Sequence, residues 1–232
     1  MIQLGFNFMD EDNYNINNFI VFDSNIEAYY FLNKNKEDEN ILDNQLIFLS
    51  GERKCGKTHL GCIWKQKHHA KTLNYNELFS LKIEDFIAKV SEYIEKFDYY
   101  LLDGLADDFD EEKLFYLLNT VLNNNSAILV IGQQNIFKKK IRLKDLKSRI
   151  NGAVNLKIKK LLKSVKTMLL VKLFSDKQIS ANGEVLKYLT KKLPNDYWSV
   201  CDFVERVEGV LMENGGRLMV GLVKDIFEQN NV

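Results

Sequence analysis

The sequence predicts a parallel α/β core followed by a small all-α subdomain, and three observations carry that expectation. Between residues 45 and 158 short apolar runs alternate with amphipathic stretches, as expected for buried strands covered by helices. A glycine-containing loop joins the first apolar run to the first amphipathic stretch. Beyond residue 160 the strand-like runs stop and only helical periodicity continues. The 232 residues, 46% of them hydrophobic, suffice for one substantial core with a smaller satellite.

Taken in order, residues 1–20 form a polar arm with one short apolar cluster. Gln45 to Ser50 reads as a buried strand, Lys57 to Ala70 as the helix after it, and Thr72 to Tyr75 as a short second strand. Residues 83–96 place Ile83, Phe86, Ile87, Val90 and Ile94 on one face at helical spacing. Tyr99 to Asp103 is a third strand. Residues 110–123 form a helix with Leu114, Leu117, Leu118 and Val121 inward. Ala127 to Gly132 is a fourth strand and Ala153 to Ile158 a fifth. Helices are expected over about residues 161–175, 182–192, 196–213 and 218–229. The expected organisation is an arm (1–20), an α/β core (21–159) and a helical subdomain (160–232).

Composition narrows the functional classes. Lysine plus arginine and aspartate plus glutamate both total 32, so whole-molecule charge favours neither nucleic acid nor membrane. The three cysteines, Cys55, Cys62 and Cys201, are an odd number without paired ligand spacing, which suits reduced thiols in a cytoplasm. No apolar run approaches the roughly 18 residues of a membrane span, and the acidic, asparagine-rich N-terminus is unlike a signal peptide. His59, His68 and His69 lack a surrounding ligand cluster and read as surface residues; Trp64 and Trp198 read as packing residues on helices.

Gly51-Glu52-Arg53-Lys54-Cys55-Gly56-Lys57-Thr58 fits G-x-x-x-x-G-K-[ST] and lies between an apolar strand and a helix. With glycine near 7% of average residues, a chance match in a chain this long is about one in a hundred. The glycines let backbone N–H groups face phosphate oxygens, and the helix N-terminus adds positive potential. Lys57 is the candidate for the β/γ-phosphates and Thr58 for a Mg²⁺ ion, with ATP or ADP as the cofactor. Arg53 and Lys54 either add phosphate contacts or are solvated, and Cys55 is a small residue filling the loop.

Such a loop needs an acid at the end of a neighbouring strand to hold the Mg²⁺ hydration shell, and Asp103 supplies it. Hydrolytic enzymes often follow that acid with a second one, but here Gly104 follows, so intrinsic hydrolysis should be weak. Asp107, Asp108 and Asp110 either substitute for the missing acid or dress a helix N-terminus. Gln133, just after the fourth strand, is a candidate γ-phosphate sensor or an ordinary polar cap.

Residues 138–166 carry twelve lysines and arginines against one acid, Asp145. Such a segment is either a solvated face or a surface for DNA or an acidic protein partner. Aromatics are almost absent from it, which disfavours single-strand binding by base stacking. Within it lies Arg149, a fixed cation of the type that acts as an arginine finger on a neighbour's γ-phosphate.

Together these residues resemble the DnaA-related branch of the AAA+ ATPases, and most closely its short regulatory Hda-type members, which lack the initiator's C-terminal DNA-binding domain. The likeness runs over nearly the whole chain. GERKCGKTHL is similar to that branch's P-loop, LLDG to its Walker B strand, and DEEKLFYLLNTVLNNNSAILVIGQQ to the helix and sensor strand that follow. DLKSRI resembles the segment bearing the arginine finger, which assigns that role to Arg149; the helical tail resembles the lid. At the N-terminus Gln3, Leu4, Phe6 and Phe8 resemble the sliding-clamp-binding motif of Hda-type proteins. Where the family's lid carries a sensor arginine, this chain has Cys201, a second departure that weakens the case for self-hydrolysis.

The resemblance implies an AAA+ P-loop fold with an all-α lid. It also implies a cytoplasmic bacterial protein that holds ADP or ATP with Mg²⁺, binds the sliding clamp, and promotes hydrolysis of ATP on the initiator DnaA. A second copy of the chain is a further candidate partner, and DNA contact through 138–166 another. The competing readings are a non-stimulating binding protein of the same family, a helicase-loader-like or DNA-dependent ATPase, and a small-molecule kinase; the helical tail and the arm speak against the last.

Overall fold

A computed structural model describes residues 14, 16–34, 45–94, 96–133, 136 and 139–228. Five strands, β1 (Leu46–Ser50), β2 (Lys71–Asn74), β3 (Tyr99–Leu105), β4 (Ala127–Gly132) and β5 (Val154–Lys157), form one sheet. The order is β2-β3-β4-β1-β5 and every pairing is parallel. The chain belongs to the α/β class, as the alternation of apolar and amphipathic segments predicts.

The core-unit helices are α1 (Ile26–Leu32), α2 (Lys57–His68), α3 (Tyr75–Phe79), α4 (Ile83–Ile94), α5 (Glu111–Asn123) and α6 (Lys144–Asn151). Strand β1 is buried at every position because both of its faces are covered. On one face Leu46 and Phe48 join Tyr100, Leu102, Ile128 and Val130 beneath α4, α5 and α6. The alternate residues Ile47, Leu49, Leu101, Leu129 and Ile131 are also buried, and α2 packs against β3 and β4 with Leu60, Ile63 and Trp64 inward.

In α5 the four residues expected to face inward, Leu114, Leu117, Leu118 and Val121, are all fully buried. In α4 only Phe86, Val90 and Ile94 are buried, while Ile83 and Ile87 are 43% and 37% exposed. The buried ridge is thus an i, i+4, i+8 row, narrower than the apolar stripe in the sequence. His68 corrects the surface expectation: it is buried, its ring 5.3 Å from Trp64 and 5.0 Å from Tyr99.

Contacts divide the chain into two compact units, Met1–Gly51 with Gly56–Ile158, and Glu52–Cys55 with Lys159–Val232. The second unit holds α7 (Lys163–Asp176), α8 (Gly183–Lys192), α9 (Tyr197–Asn214) and α10 (Val220–Glu228). Its core includes Leu170, Phe174, Val185, Leu189, Val200, Phe203, Val207 and Val223, with Phe203 stacked on Phe227 at 4.7 Å. Asn182 caps α8 through Val185 N at 2.9 Å and Asp196 caps α9 through Ser199 N at 2.7 Å. No helix among the described residues is long and apolar enough to cross a membrane.

Candidate functional site

The register brings the start of the loop and Asp103 to one edge of the sheet. Ser50, the last residue of β1, pairs with Gly132 of β4 and Lys157 of β5, while Asp103 of β3 pairs with Ile131 of β4 and Asn74 of β2. The carboxyl ends of these strands are therefore level, and ligands of open α/β sheets bind at that edge. Asp103 is not on the strand next to the loop, as the sequence suggested. β4 lies between β1 and β3, so exposed Gln133 follows the strand that separates the loop from Asp103.

The loop from Gly51 to Thr58 has the shape that its glycines permit. Lys54 has φ +60° and Gly56 φ +93°, the latter at the N-cap of α2, where a side chain would be strained. Gly56 has no side chain with which to satisfy the first-turn N–H groups of the twelve-residue α2, which suits an anion there. Lys57 is buried and its Nζ donates to the Gly51 carbonyl at 3.0 Å. Thr58 is half-buried one residue further along α2. This donor set, with Asp103 half-buried on the same sheet edge, fits a nucleotide phosphate chain and its Mg²⁺.

The middle of the loop is engaged by α9. The Lys54 ammonium lies 2.6 Å from both Glu205 carboxylate oxygens, and the Arg53 guanidinium sits 6.0 Å from the centroid of the Trp198 ring. Phosphate contact and solvation were the two alternatives for Arg53 and Lys54; both residues are exposed, and their side chains in addition meet residues of α9, a contact the sequence did not suggest. Glu52 is half-buried and Cys55 buried. Trp198, one turn before Cys201, is 41% exposed. Burial pushes the Cys201 thiol up to about 11 against the opposing pull of Lys54, so this position on α9 carries a neutral group.

Gly104 follows Asp103 at φ +86°, where the β3–β4 register shifts between Asp103 and Leu105. The backbone here is a glycine-bearing bulge, so an acid at this position would need a left-handed conformation or a rebuilt strand end. Of the three downstream acids, Asp110 is an N-cap whose Oδ1 accepts from Glu112 N at 3.0 Å and Lys113 N at 3.1 Å. Asp107 and Asp108 are exposed. Burial and then Asp108 raise the pKa of the Tyr75 hydroxyl.

Arg149 lies on α6, exposed, and its Nε donates to Asn119 Oδ1 of α5 at 2.9 Å. It borders a cleft of about 590 Å³ shared with Leu46, Phe115, Leu122, Asn123, Asp145, Ser148 and Gly152. Sequence reasoning missed Asn119, because in a chain rich in asparagine nothing marks this one.

Of the basic segment, Lys140, Arg142, Lys144, Lys147, Lys157, Lys159, Lys160 and Lys163 are exposed alongside Arg149. Lys139 is half-buried with its ammonium 4.1 Å from the Phe109 ring centroid. Lys166 corrects the expectation for its end of the run. It is 2% exposed and donates to the Leu193 carbonyl at 2.5 Å at the C-terminus of α8. Burial, then Lys163, lowers the pKa of its ammonium. Gln3, Leu4, Phe6 and Phe8, the clamp-binding candidates, lie outside the described residues, as does Lys138. No group of three potential metal-ligating His, Cys, Asp or Glu side chains occurs among the described residues.

No protein-family model matches the chain. It is 28% identical over 235 residues to the chromosomal replication initiator protein DnaA of Buchnera aphidicola subsp. Cinara cedri, a match that takes in 93% of this chain and 53% of that protein. The chain thus spans about half the length of that relative. Among solved structures, domain III of the Thermotoga maritima replication initiation protein DnaA superposes with a TM-score of 0.76 at 16% identity, covering 94% of this chain and 96% of that one. The replication initiator DnaA bound to AMPPCP and single-stranded DNA superposes with a TM-score of 0.72 at 19% identity, covering 94% of this chain and 70% of that one.

Proposed function

We propose, from its similarity to DnaA over most of its length and the fold it shares with DnaA domain III, that the chain is a DnaA-related AAA+ protein working in a bacterial cytoplasm as a nucleotide-bound negative regulator of replication initiation. In this reading Gly51 to Thr58 hold the phosphates of ADP or ATP, chiefly by backbone N–H groups and the Lys57 ammonium. Thr58 and Asp103 hold Mg²⁺ with its waters, and Gln133 reads the terminal phosphate. The bound cation would neutralise phosphate charge. Intrinsic turnover is weak, because Gly104 stands where a water-polarising acid would be and Cys201 stands in place of a sensor arginine.

The reactive group is directed outward. Arg149 presents its fixed positive charge and N–H donors to the terminal phosphate of ATP held by DnaA, stabilising the negative charge that spreads over the transferring phosphoryl group. Gln3, Leu4, Phe6 and Phe8 anchor the protein to the sliding clamp, confining its action to DNA that carries a clamp. The observation that carries this reading is the exposed guanidinium of Arg149 beside an open cleft on α5 and α6.

The experiment is ATP turnover by DnaA in the presence of DNA-loaded clamp, with the protein as wild type, Arg149→Ala and Gln3→Ala/Leu4→Ala. The reading expects stimulation by wild type, loss with Arg149→Ala, and loss of clamp binding with the double variant. Stimulation that survives Arg149→Ala refutes the trans-acting arginine and leaves a family member that binds without this chemistry.

A second reading is DNA contact by a loader-like or DNA-dependent ATPase, and the exposed run Lys140, Arg142, Lys144 and Lys147 favours it. Binding to DNA without the clamp, weakening steeply with salt, would select that reading.

A further inference from the structure

The geometry points to Asn119 as a positioning residue for Arg149, an inference that rests on the trans-acting reading of that arginine. An exposed arginine explores many rotamers, and that freedom is lost whenever the guanidinium must meet a phosphate. Here part of it is already lost. The Nε–H donates to Asn119 Oδ1 at 2.9 Å. This bond engages the inner nitrogen of the guanidinium and leaves the two terminal nitrogens available as a fork for phosphate oxygens. The acceptor is neutral, so it orients the cation without cancelling its charge.

The acceptor is itself fixed. Asn119 is half-buried on α5, whose inner face buries Leu114, Leu117, Leu118 and Val121 and whose start is capped by Asp110. The same helix also holds the beginning of α6. The Glu111 carboxylate accepts from Arg142 N at 2.9 Å and Leu143 N at 2.8 Å, just before α6 begins at Lys144. Leu146, buried on α6, lies between these two points, and Ile150, also buried, follows directly after the second. α5 therefore steadies α6 through Glu111 at one end and aims its arginine through Asn119 at the other. The cleft of about 590 Å³ bordered by Asp145, Ser148 and Arg149 gives a partner's phosphates room to approach the guanidinium.

The test compares Asn119→Leu, which keeps the size but removes the acceptor, with Asn119→Asp, which restores an oxygen at the same place, and with Arg149→Ala. Two readouts are taken on the full chain. The first is the Arg149 Nε–H resonance, assigned by its disappearance in Arg149→Ala, and its exchange with water. The second is DnaA turnover with DNA-loaded clamp, resolved into the maximal rate and the half-saturating concentration of this protein.

Asn119→Leu is expected to speed exchange of the Nε–H and to lower the maximal rate about tenfold with half-saturation unchanged, since small misplacements of a reacting group cost up to about a hundredfold. Asn119→Asp is expected to recover the slow exchange but, because its carboxylate offsets the guanidinium charge, to recover only part of the maximal rate. A maximal rate untouched by Asn119→Leu while Arg149→Ala abolishes stimulation overturns the role of Asn119 and leaves the function standing. A change in half-saturation alone makes Asn119 a docking contact and also overturns it. Full stimulation by Arg149→Ala sinks the underlying reading, and the positioning role falls with it.

Discussion

Replacing Gly104 with alanine, and separately with asparagine, isolates the strain at the end of β3. A Cβ at this position would meet no heavy atom within 4 Å, so steric overlap contributes nothing and the backbone angle of φ +86° decides the result. An alanine forced into the left-handed region costs about 1–2 kcal/mol. The lower entropy of the unfolded alanine chain offsets about 0.4–1 kcal/mol of that. The net expectation is a loss of about 1 kcal/mol, or about 2–4 °C in Tm for a protein of this size. Asparagine visits the left-handed region more readily and should cost distinctly less. Thermal and urea unfolding followed by circular dichroism measure both. An alanine variant as stable as wild type, or an asparagine variant less stable than the alanine one, would refute the argument from backbone strain. Gly104→Glu meets the same penalty, so adding a carboxylate here should lower stability before it raises turnover.

Further expectations follow from named contacts. Lys57→Ala removes a buried ammonium at the loop and should weaken ADP binding at least about tenfold by calorimetry, since a hydrogen bond to a charged group contributes about 1.5–3 kcal/mol. Alkylation of Cys201, followed by mass spectrometry, should accelerate steadily from neutral pH toward its pKa of about 11, and a plateau near the ordinary thiol range would contradict its burial. Because that pKa is raised in the fold, the contribution of Cys201 to stability is complete below pH 9.0 and declines as pH rises toward about 11; Cys201→Ala should flatten this decline. Lys166→Ala strands the Leu193 carbonyl and should cost about 1–3 kcal/mol, with Lys166→Met less damaging if the packing of its stem matters as much as its hydrogen bond.

The strands and long helices were legible because both period and punctuation were strong. β4 matches its apolar run from Ala127 to Gly132, and α5 shows the inward row that its spacing implies. α3 was not legible: five residues carry no period, and the helix is fixed by Asn74, whose side chain accepts from Glu77 N at 3.2 Å. α6 was hidden because its charges mask the two buried residues, Leu146 and Ile150, that hold it down. At the site, motif residues were readable from local spacing, whereas their partners were not. Lys54 with Glu205 and Arg149 with Asn119 are contacts between side chains far apart in sequence, and Lys166 is a charged residue whose burial no local pattern announces.

The place of β4 in the sheet also governs when the site can exist. β4 is fourth in the chain but central in the sheet, so β1, the phosphate loop and β3 all leave the ribosome before the strand that separates them. Until it inserts, nothing sets the distance between Gly51 and Asp103, which in the finished sheet spans two strand spacings, roughly 9–10 Å. A ligand that needs both ends has no purchase on the growing chain or on an early folding intermediate. Its stabilisation is therefore expressed in how slowly the assembled protein comes apart, more than in how fast it forms.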